Sequence, residues 1–233
     1  RFGITNRFTI DSDLGYFVNK TQHYRAGILP ASITGYGLTD FTLQFKLLVL
    51  KKREWEATPS LGIKIPAGAT EKIGKDGTII PLDLQSTTGA FAYTGGFLIY
   101  KGFPEKKLRF FLDGKIELPQ LTKVTNIDYK YGSVYFFSFI TTYSFTRWTA
   151  IIQVRKENRE RDIKYENPAR IIYSTGSNKV FFVPQINFSL NNKWNILLLA
   201  DIPVYQYYFG KQLASKFAAG LSLSRKFNRI KKA

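Results

Sequence analysis

From residue 41 to residue 65 apolar and polar side chains alternate with a period of two, in two successive arms. Phe41, Leu43, Phe45, Leu47 and Val49 share one face of the first arm, and Thr42, Gln44 and Lys46 share the other. After a charged turn at Lys51, Lys52, Arg53 and Glu54, the second arm sets Trp55, Ala57, Pro59, Leu61, Ile63 and Ile65 against Glu56, Thr58, Ser60, Gly62 and Lys64. Period two is the side-chain period of a pleated strand. Each arm has on the order of ten residues, whereas soluble strands average about five or six and a tilted strand needs about nine to eleven to cross a bilayer. Length therefore favours a membrane barrel over its rival, a soluble β-sandwich or lipocalin-like barrel, which would put the phenylalanines inside and the lysines outside.

The rest of the chain repeats this unit. Phe8, Ile10, Leu14, Tyr16 and Val18 oppose Arg7, Thr9, Asp11, Asp13 and Asn19 in one expected strand, and Arg1 and Phe2 read as the tail of another. In the clearest strand Leu108, Phe110, Leu112, Ile116 and Leu118 alternate with Arg109, Phe111, Asp113, Lys115 and Glu117. Further strands are expected over residues 89–101, 132–145, 148–157, 178–190 and 194–205, and a last one carries Phe217, Ala219, Leu221, Leu223 and Phe227 opposite Lys216, Ser222, Ser224 and Lys226. Tight turns at 103–107, 146–147 and 191–193 alternate with long loops at 20–36, 67–88, 119–131 and 158–178. That alternation is the habit of outer-membrane barrels, whose short turns face the periplasm and whose long loops face outside. Residues 1–233 are thus expected to form one all-β domain, a transmembrane antiparallel up-and-down barrel. Trp55, Tyr93, Tyr100, Trp148, Trp194, Tyr205, Tyr207 and Tyr208 fall near strand ends and suit its aromatic girdles.

Composition narrows the partners. Lys plus Arg number 34 against 17 for Asp plus Glu, a formal charge of +17. Such an excess suits nucleic acid, acidic lipid headgroups or anionic solutes. The cations are scattered through alternating strands, with no zinc spacing and no basic helix, so nucleic acid is not expected as a partner. There is no cysteine, which excludes disulfides, thiol catalysis and thiolate metal sites. No run of about 18 apolar residues exists to make a transmembrane helix.

Three phrases in residues 35–102 carry a family resemblance: Gly35-Tyr36-Gly37-Leu38-Thr39-Asp40 before the strand with Lys46, Leu61-Gly62-Ile63-Lys64-Ile65-Pro66-Ala67-Gly68, and Leu84-Gln85-Ser86-Thr87-Thr88-Gly89-Ala90 before the next strand. In their order and spacing they resemble the outer-membrane channel family of MetA-pathway phenol-degradation transporters, which usually has Thr where Ala67 stands. The resemblance extends weakly to Arg225-Lys226-Phe227. It implies a closed barrel of about twelve strands. About ten full strands are legible, so a pair preceding Arg1 would complete it. It also implies a channel or transporter for small hydrophobic or aromatic solutes in the bacterial outer membrane; the alternative is a plugged, non-transport scaffold that docks partner proteins or lipopolysaccharide.

Charge cannot face hydrocarbon, so the polar strand faces must line the lumen. That assigns Arg7, Asp11, Asp13, Lys46, Glu56, Lys64, Arg109, Asp113, Lys115, Glu117, Arg155, Glu157, Asp201 and Lys216 inward, either as a solute path or as cross-strand pairs filling a narrow barrel. Lys115 with Asp113 or Glu117 is expected to meet countercharges from adjacent strands. Arg159, Arg161, Lys164 and Arg170 belong to the long-loop end, where lipopolysaccharide phosphates are the expected partners. Lys106, Lys107, Arg229, Lys231 and Lys232 join Lys51, Lys52 and Arg53 at the short-turn end. Catalysis is not expected, because the one histidine, His23, sits in a loop without a nucleophile at readable spacing. Nor is a metal or other cofactor: Asp11 and Asp13, two apart on a strand, more often face water or an arginine than Ca²⁺, and no helix follows Gly95-Gly96 to make a phosphate loop.

Overall fold

The computed structural model describes residues 2–23, 32–74, 77, 79–124 and 127–227. Arg229, Lys231, Lys232 and the middle of the 20–36 loop lie outside the described residues. In chain order the strands are β1 (Phe2–Gly3), β2 (Phe8–Asp13), β3 (Tyr16–His23), β4 (Ser32–Leu38), β5 (Phe41–Leu47), β6 (Leu50–Lys52), β7 (Trp55–Ile65), β8 (Ala92–Phe103), β9 (Leu108–Pro119), β10 (Thr122–Val124), β11 (Ile127–Lys130), β12 (Val134–Ser144), β13 (Trp148–Arg159), β14 (Ile163–Tyr165), β15 (Arg170–Ile171), β16 (Ser177–Ser189), β17 (Trp194–Tyr208) and β18 (Ala218–Arg225). One antiparallel sheet runs β1-β2-β5-β7-β8-β9-β12-β13-β16-β17-β18, with β6 continuing the line of β5 against β7. Its seven long strands have 11 to 15 residues, enough to span a bilayer when tilted. The sheet curls: Asp11 on β2 and Lys115 on β9, separated by three strands along the sheet order, line one cavity. This is a transmembrane-type antiparallel β-barrel fold.

Burial is inverted relative to a soluble protein. Leu61, halfway along β7, is 73% exposed, and Phe97, Phe139, Val154, Leu198 and Leu221 on other strands are exposed in the same way. The most buried side chains of the spanning strands, Ser138 and Val183, belong to the opposite face. That face also carries Asp113, Lys115 and Glu117, while Leu112, Ile116 and Leu118 point outward. The apolar face is thus the outer one. In water its exposure would cost about 25 cal/mol per Å²; against lipid it costs nothing.

Several expected elements are corrected. The strand expected from Phe8 to Val18 breaks at Leu14 and Gly15, where Thr39 exchanges hydrogen bonds with Gly15, its amide donating to the carbonyl at 2.9 Å and its hydroxyl accepting from the amide at 2.9 Å. Beyond the break β3 leaves the barrel and pairs with β4 in its own two-stranded sheet, overlapping both ends of the expected 20–36 loop. The loops at 119–131 and 158–178 likewise carry β10, β11, β14 and β15, which form a separate four-stranded sheet. Register slips by one residue between Lys46↔Ser60 and Leu50↔Ala57, so that Leu50 rather than Val49 continues the outward row and Lys51 stands opposite Glu56. Tyr100 and Tyr208 face inward, Tyr100 against Phe111 and Tyr208 against Gln206, and so do not join the girdles.

Placing a lysine outward at mid-span should therefore be costly. Leu61→Lys is expected to lose about 2 to 4 kcal/mol of folding stability in lipid vesicles, read by urea titration, while Leu61→Ile stays within about 1.5 kcal/mol of the parent.

Candidate functional site: the lumen and its constriction

Neighbouring strands bring the inward charges together in pairs. Lys46 on β5 reaches Asp11 on β2 at 2.6 Å. Lys64 on β7 reaches over β8 to Glu117 on β9 at 2.6 Å, which is possible because the intervening inward residue is the small, buried Thr94. Glu157 on β13 meets its direct cross-strand partner Lys179 at 2.5 Å. Arg155 bridges from β13 across β16 to Asp201 on β17 at 3.1 Å, its guanidinium lying 4.8 Å from the centre of the Phe181 ring on the strand it crosses. Between the charged pairs, Gln185 donates to Gln153 at 2.9 Å and Gln153 to Ser138 at 3.0 Å.

Lys115 differs from these. Among the described residues it has no carboxylate within ion-pair distance, contrary to the sequence expectation; its ammonium lies 5.9 Å from the Phe136 ring centre and lines a 320 Å³ cavity with Asp11, Asp13 and Gln44. The expected countercharge contact falls instead to Glu117, through Lys64. The inward row contains few side chains long enough to meet Lys115, since Gly96 and Ser60 are its row neighbours toward β7.

At the ends of the barrel two assignments change: Arg7 occupies the exposed bend before β2, and Lys216 is exposed in the irregular segment before β18, which starts two residues later. Arg109 keeps to the inward face opposite Thr142, at the exposed rim beside the short turn. Glu56 stays on the inner rim, 3.7 Å from Lys51.

The long-loop end is closed down by a segment the sequence showed only as an aperiodic loop. Residues 80–90 fold against the barrel mouth, with Ile80, Leu84, Gln85, Ser86, Thr87 and Ala90 all buried. The three phrases of the family resemblance meet here. Gly35 on β4 lies so close to the Leu84 carbonyl, and Gly68 to the Leu38 carbonyl, that a Cβ on either would collide. Asp40 accepts hydrogen bonds from the Thr87 and Thr88 hydroxyls and lies 3.4 Å from the Lys64 ammonium, tying the inward segment to the Lys64–Glu117 pair.

A second anchor is Asp162, almost wholly buried after β13. It accepts from the Tyr129 hydroxyl at 2.5 Å, from the Gly132 amide at 2.8 Å and from Arg159 at 3.2 Å, and its own amide donates to Thr175 at 2.8 Å. Arg159, expected to reach out toward lipopolysaccharide, is therefore turned inward. Arg161 is engaged as well, its guanidinium 4.3 Å from the Phe209 ring centre and 5.4 Å from that of Tyr173. Lys164 pairs with the exposed Glu166 at 2.6 Å, a hydrogen bond that holds that carboxyl below its usual range, and Arg170 stays exposed on β15.

Two cavities stack along this end. An outer vestibule of 660 Å³ is lined by Phe17, Lys20, Gln85, Tyr129, Asp162 and Lys211 among others, and an inner cavity of 240 Å³ by Lys64, Glu117, Phe136 and Glu157 among others. Thr88, Tyr131 and Arg159 line both. These three mark the junction of the two cavities, here called the constriction. Sequence reading missed Asp40, Thr88, Tyr131 and Asp162 because none lies on a sustained alternation; the Thr87-Thr88 pair within a recognised phrase was the available signal.

No family model matches the chain, and no curated protein matches it in sequence. Among solved structures it is similar to the crystal structure of an outer membrane channel from Pseudomonas putida F1, with a TM-score of 0.67 at 12% identity, over 96% of this chain and 78% of that one. At that identity the likeness is one of fold.

Burial and the Asp162 charge push the Tyr131 phenol up to about 12, and burial with the hydrogen bond to Asp162 holds Tyr129 higher still. An unfolded tyrosine ionises near pH 10. Because the folded values lie above the unfolded one, the stabilisation is fully present below about pH 10 and is lost as pH rises through the folded values. Absorbance titration at 295 nm should show a late tyrosine step near pH 12 that disappears in Tyr131→Phe.

Proposed function

We propose that the chain forms a channel in the bacterial outer membrane for small solutes, and that aromatic or hydrophobic solutes entering from the long-loop side are its cargo. The observation that carries the reading is the pair of cavities in series, meeting at Thr88, Tyr131 and Arg159, inside a barrel whose charged face is turned inward. Phe17, Tyr129 and Tyr131 offer ring faces along the vestibule, and Thr88 and Arg159 offer hydrogen bonds where it narrows. An aromatic solute with a hydroxyl or acidic group would stack on the first and bond to the second. Below the constriction Lys115, which has no ion-pair partner among the described residues, and the Asp11–Lys46 pair set the field along the path.

The second reading is a plugged scaffold, favoured by the Lys64–Glu117, Glu157–Lys179 and Arg155–Asp201 pairs and by the inward segment on Asp40. In that case Arg170, exposed at the loop end, with Lys164 beside it in its pair with Glu166, would meet lipopolysaccharide or a partner protein.

Planar-bilayer recording of the purified chain separates the two. A channel gives conductance steps that fall sharply in Thr88→Trp, and its ion selectivity shifts toward cations in Lys115→Glu. A plugged scaffold gives no steps in any variant. Breaking one internal pair should cost stability under either reading: Glu117→Gln leaves the Lys64 ammonium beside Asp40 alone and is expected to lose about 1 to 3 kcal/mol in urea titration.

A further inference from the structure

The outward surface at the short-turn end repeats one arrangement at two distant places. On β8 the Lys101 ammonium lies 4.7 Å from the Trp55 ring centre and 5.3 Å from that of Phe103. On β18 the Arg225 guanidinium lies 5.3 Å from the Trp194 ring centre and 4.8 Å from that of Phe227. All four rings and both cations belong to or adjoin the outward face: Lys101 pairs across the ladder with Trp55, and Arg225 with Trp194. Trp148, its ring centre 4.3 Å from that of Phe188 and tilted by 37°, completes the belt, so all three tryptophans of the chain sit outward at this end. At the opposite end Tyr93, Tyr135, Tyr205 and Tyr207 are exposed on the outward face.

Below the belt the turns are basic. Arg53, Lys106, Arg147 and Lys193 lie on four successive short turns, against Glu54 and Glu105. Glu54 is the only acid that reaches the belt among the described residues, 3.6 Å from Lys101. Arg225 has no such partner among the described residues. A tryptophan at the boundary between hydrocarbon and headgroups fixes the depth of the cation beside it. These cations are therefore at headgroup depth, facing lipid rather than lumen.

We infer that this belt is a binding surface for anionic phospholipid headgroups, with Trp55·Lys101 and Trp194·Arg225 as two headgroup sites on the leaflet at the short-turn end. A monoanionic phosphodiester would accept from the cation while its glycerol and upper acyl chain lie against the ring. Each closely approached cation would enrich such a lipid roughly five-fold over a zwitterionic one. The inference rests on the reading of the barrel as membrane-embedded.

The tryptophans report the belt directly. The full chain is reconstituted in phosphatidylcholine vesicles containing a minority of phosphatidylglycerol, with bromine placed on the acyl chains of one lipid or the other at the same mole fraction. The expected result is stronger tryptophan quenching by brominated phosphatidylglycerol, an excess that shrinks in Lys101→Gln/Arg225→Gln and persists in Arg225→Lys. Equal quenching by the two lipids would overturn the headgroup sites and leave the membrane reading standing. An excess untouched by the double substitution would overturn their assignment to Lys101 and Arg225. Quenching by neither lipid would overturn the membrane reading beneath them.

Discussion

A strand that crosses hydrocarbon must satisfy every backbone amide and carbonyl with a neighbouring strand, and it can carry charge on only one of its faces. Antiparallel pairing along the sheet from β2 to β18 consumes the backbone groups of the strands between its two ends, and the alternation on each strand then fixes which side chains are sealed inside. A slip of one residue would turn Asp113, Lys115 and Glu117 onto lipid at once, so register follows from the sequence with little latitude.

The sealed charges then need one another. Lys64 and Glu117 meet over Thr94, and Arg155 and Asp201 meet past Phe181, so each pair spans an intervening strand and ties three strands at one level. Pairs of this kind add little net stability over apolar packing of the same shape, although breaking one is expensive. Their use is geometric. They hold long side chains at the wall and leave the lumen as separate cavities, and the Asp40 carboxylate extends the same network to the inward segment that narrows the mouth.

The barrel was legible in the sequence where strands are long and two-faced. The outward rows of β7 and β9 match the alternation residue for residue, because ten or more positions of period two leave no competing reading. The features above the mouth were not legible. β10, β11, β14 and β15 have two to four residues each, too few to show a period, and they hold together only through contacts distant in sequence. Asp162 was invisible for a related reason: its partners Tyr129, Gly132 and Thr175 come from separate loops. Arg159 illustrates the cost of judging a cation by position alone. It stands at the loop end, as expected, yet Asp162 turns it inward and makes it part of the constriction.

The central claim is that the charged face of each strand is the wet one and the apolar face meets lipid. Because the chain has no cysteine, single cysteines at 113 through 118 can carry a spin label without background. In vesicles, collision with oxygen, which concentrates in hydrocarbon, should peak at 114, 116 and 118. Collision with a water-soluble nickel chelate should peak at 113, 115 and 117 instead. The opposite phase, with Lys115→Cys accessible to oxygen and Ile116→Cys to nickel, would contradict the account, as would the absence of any period of two.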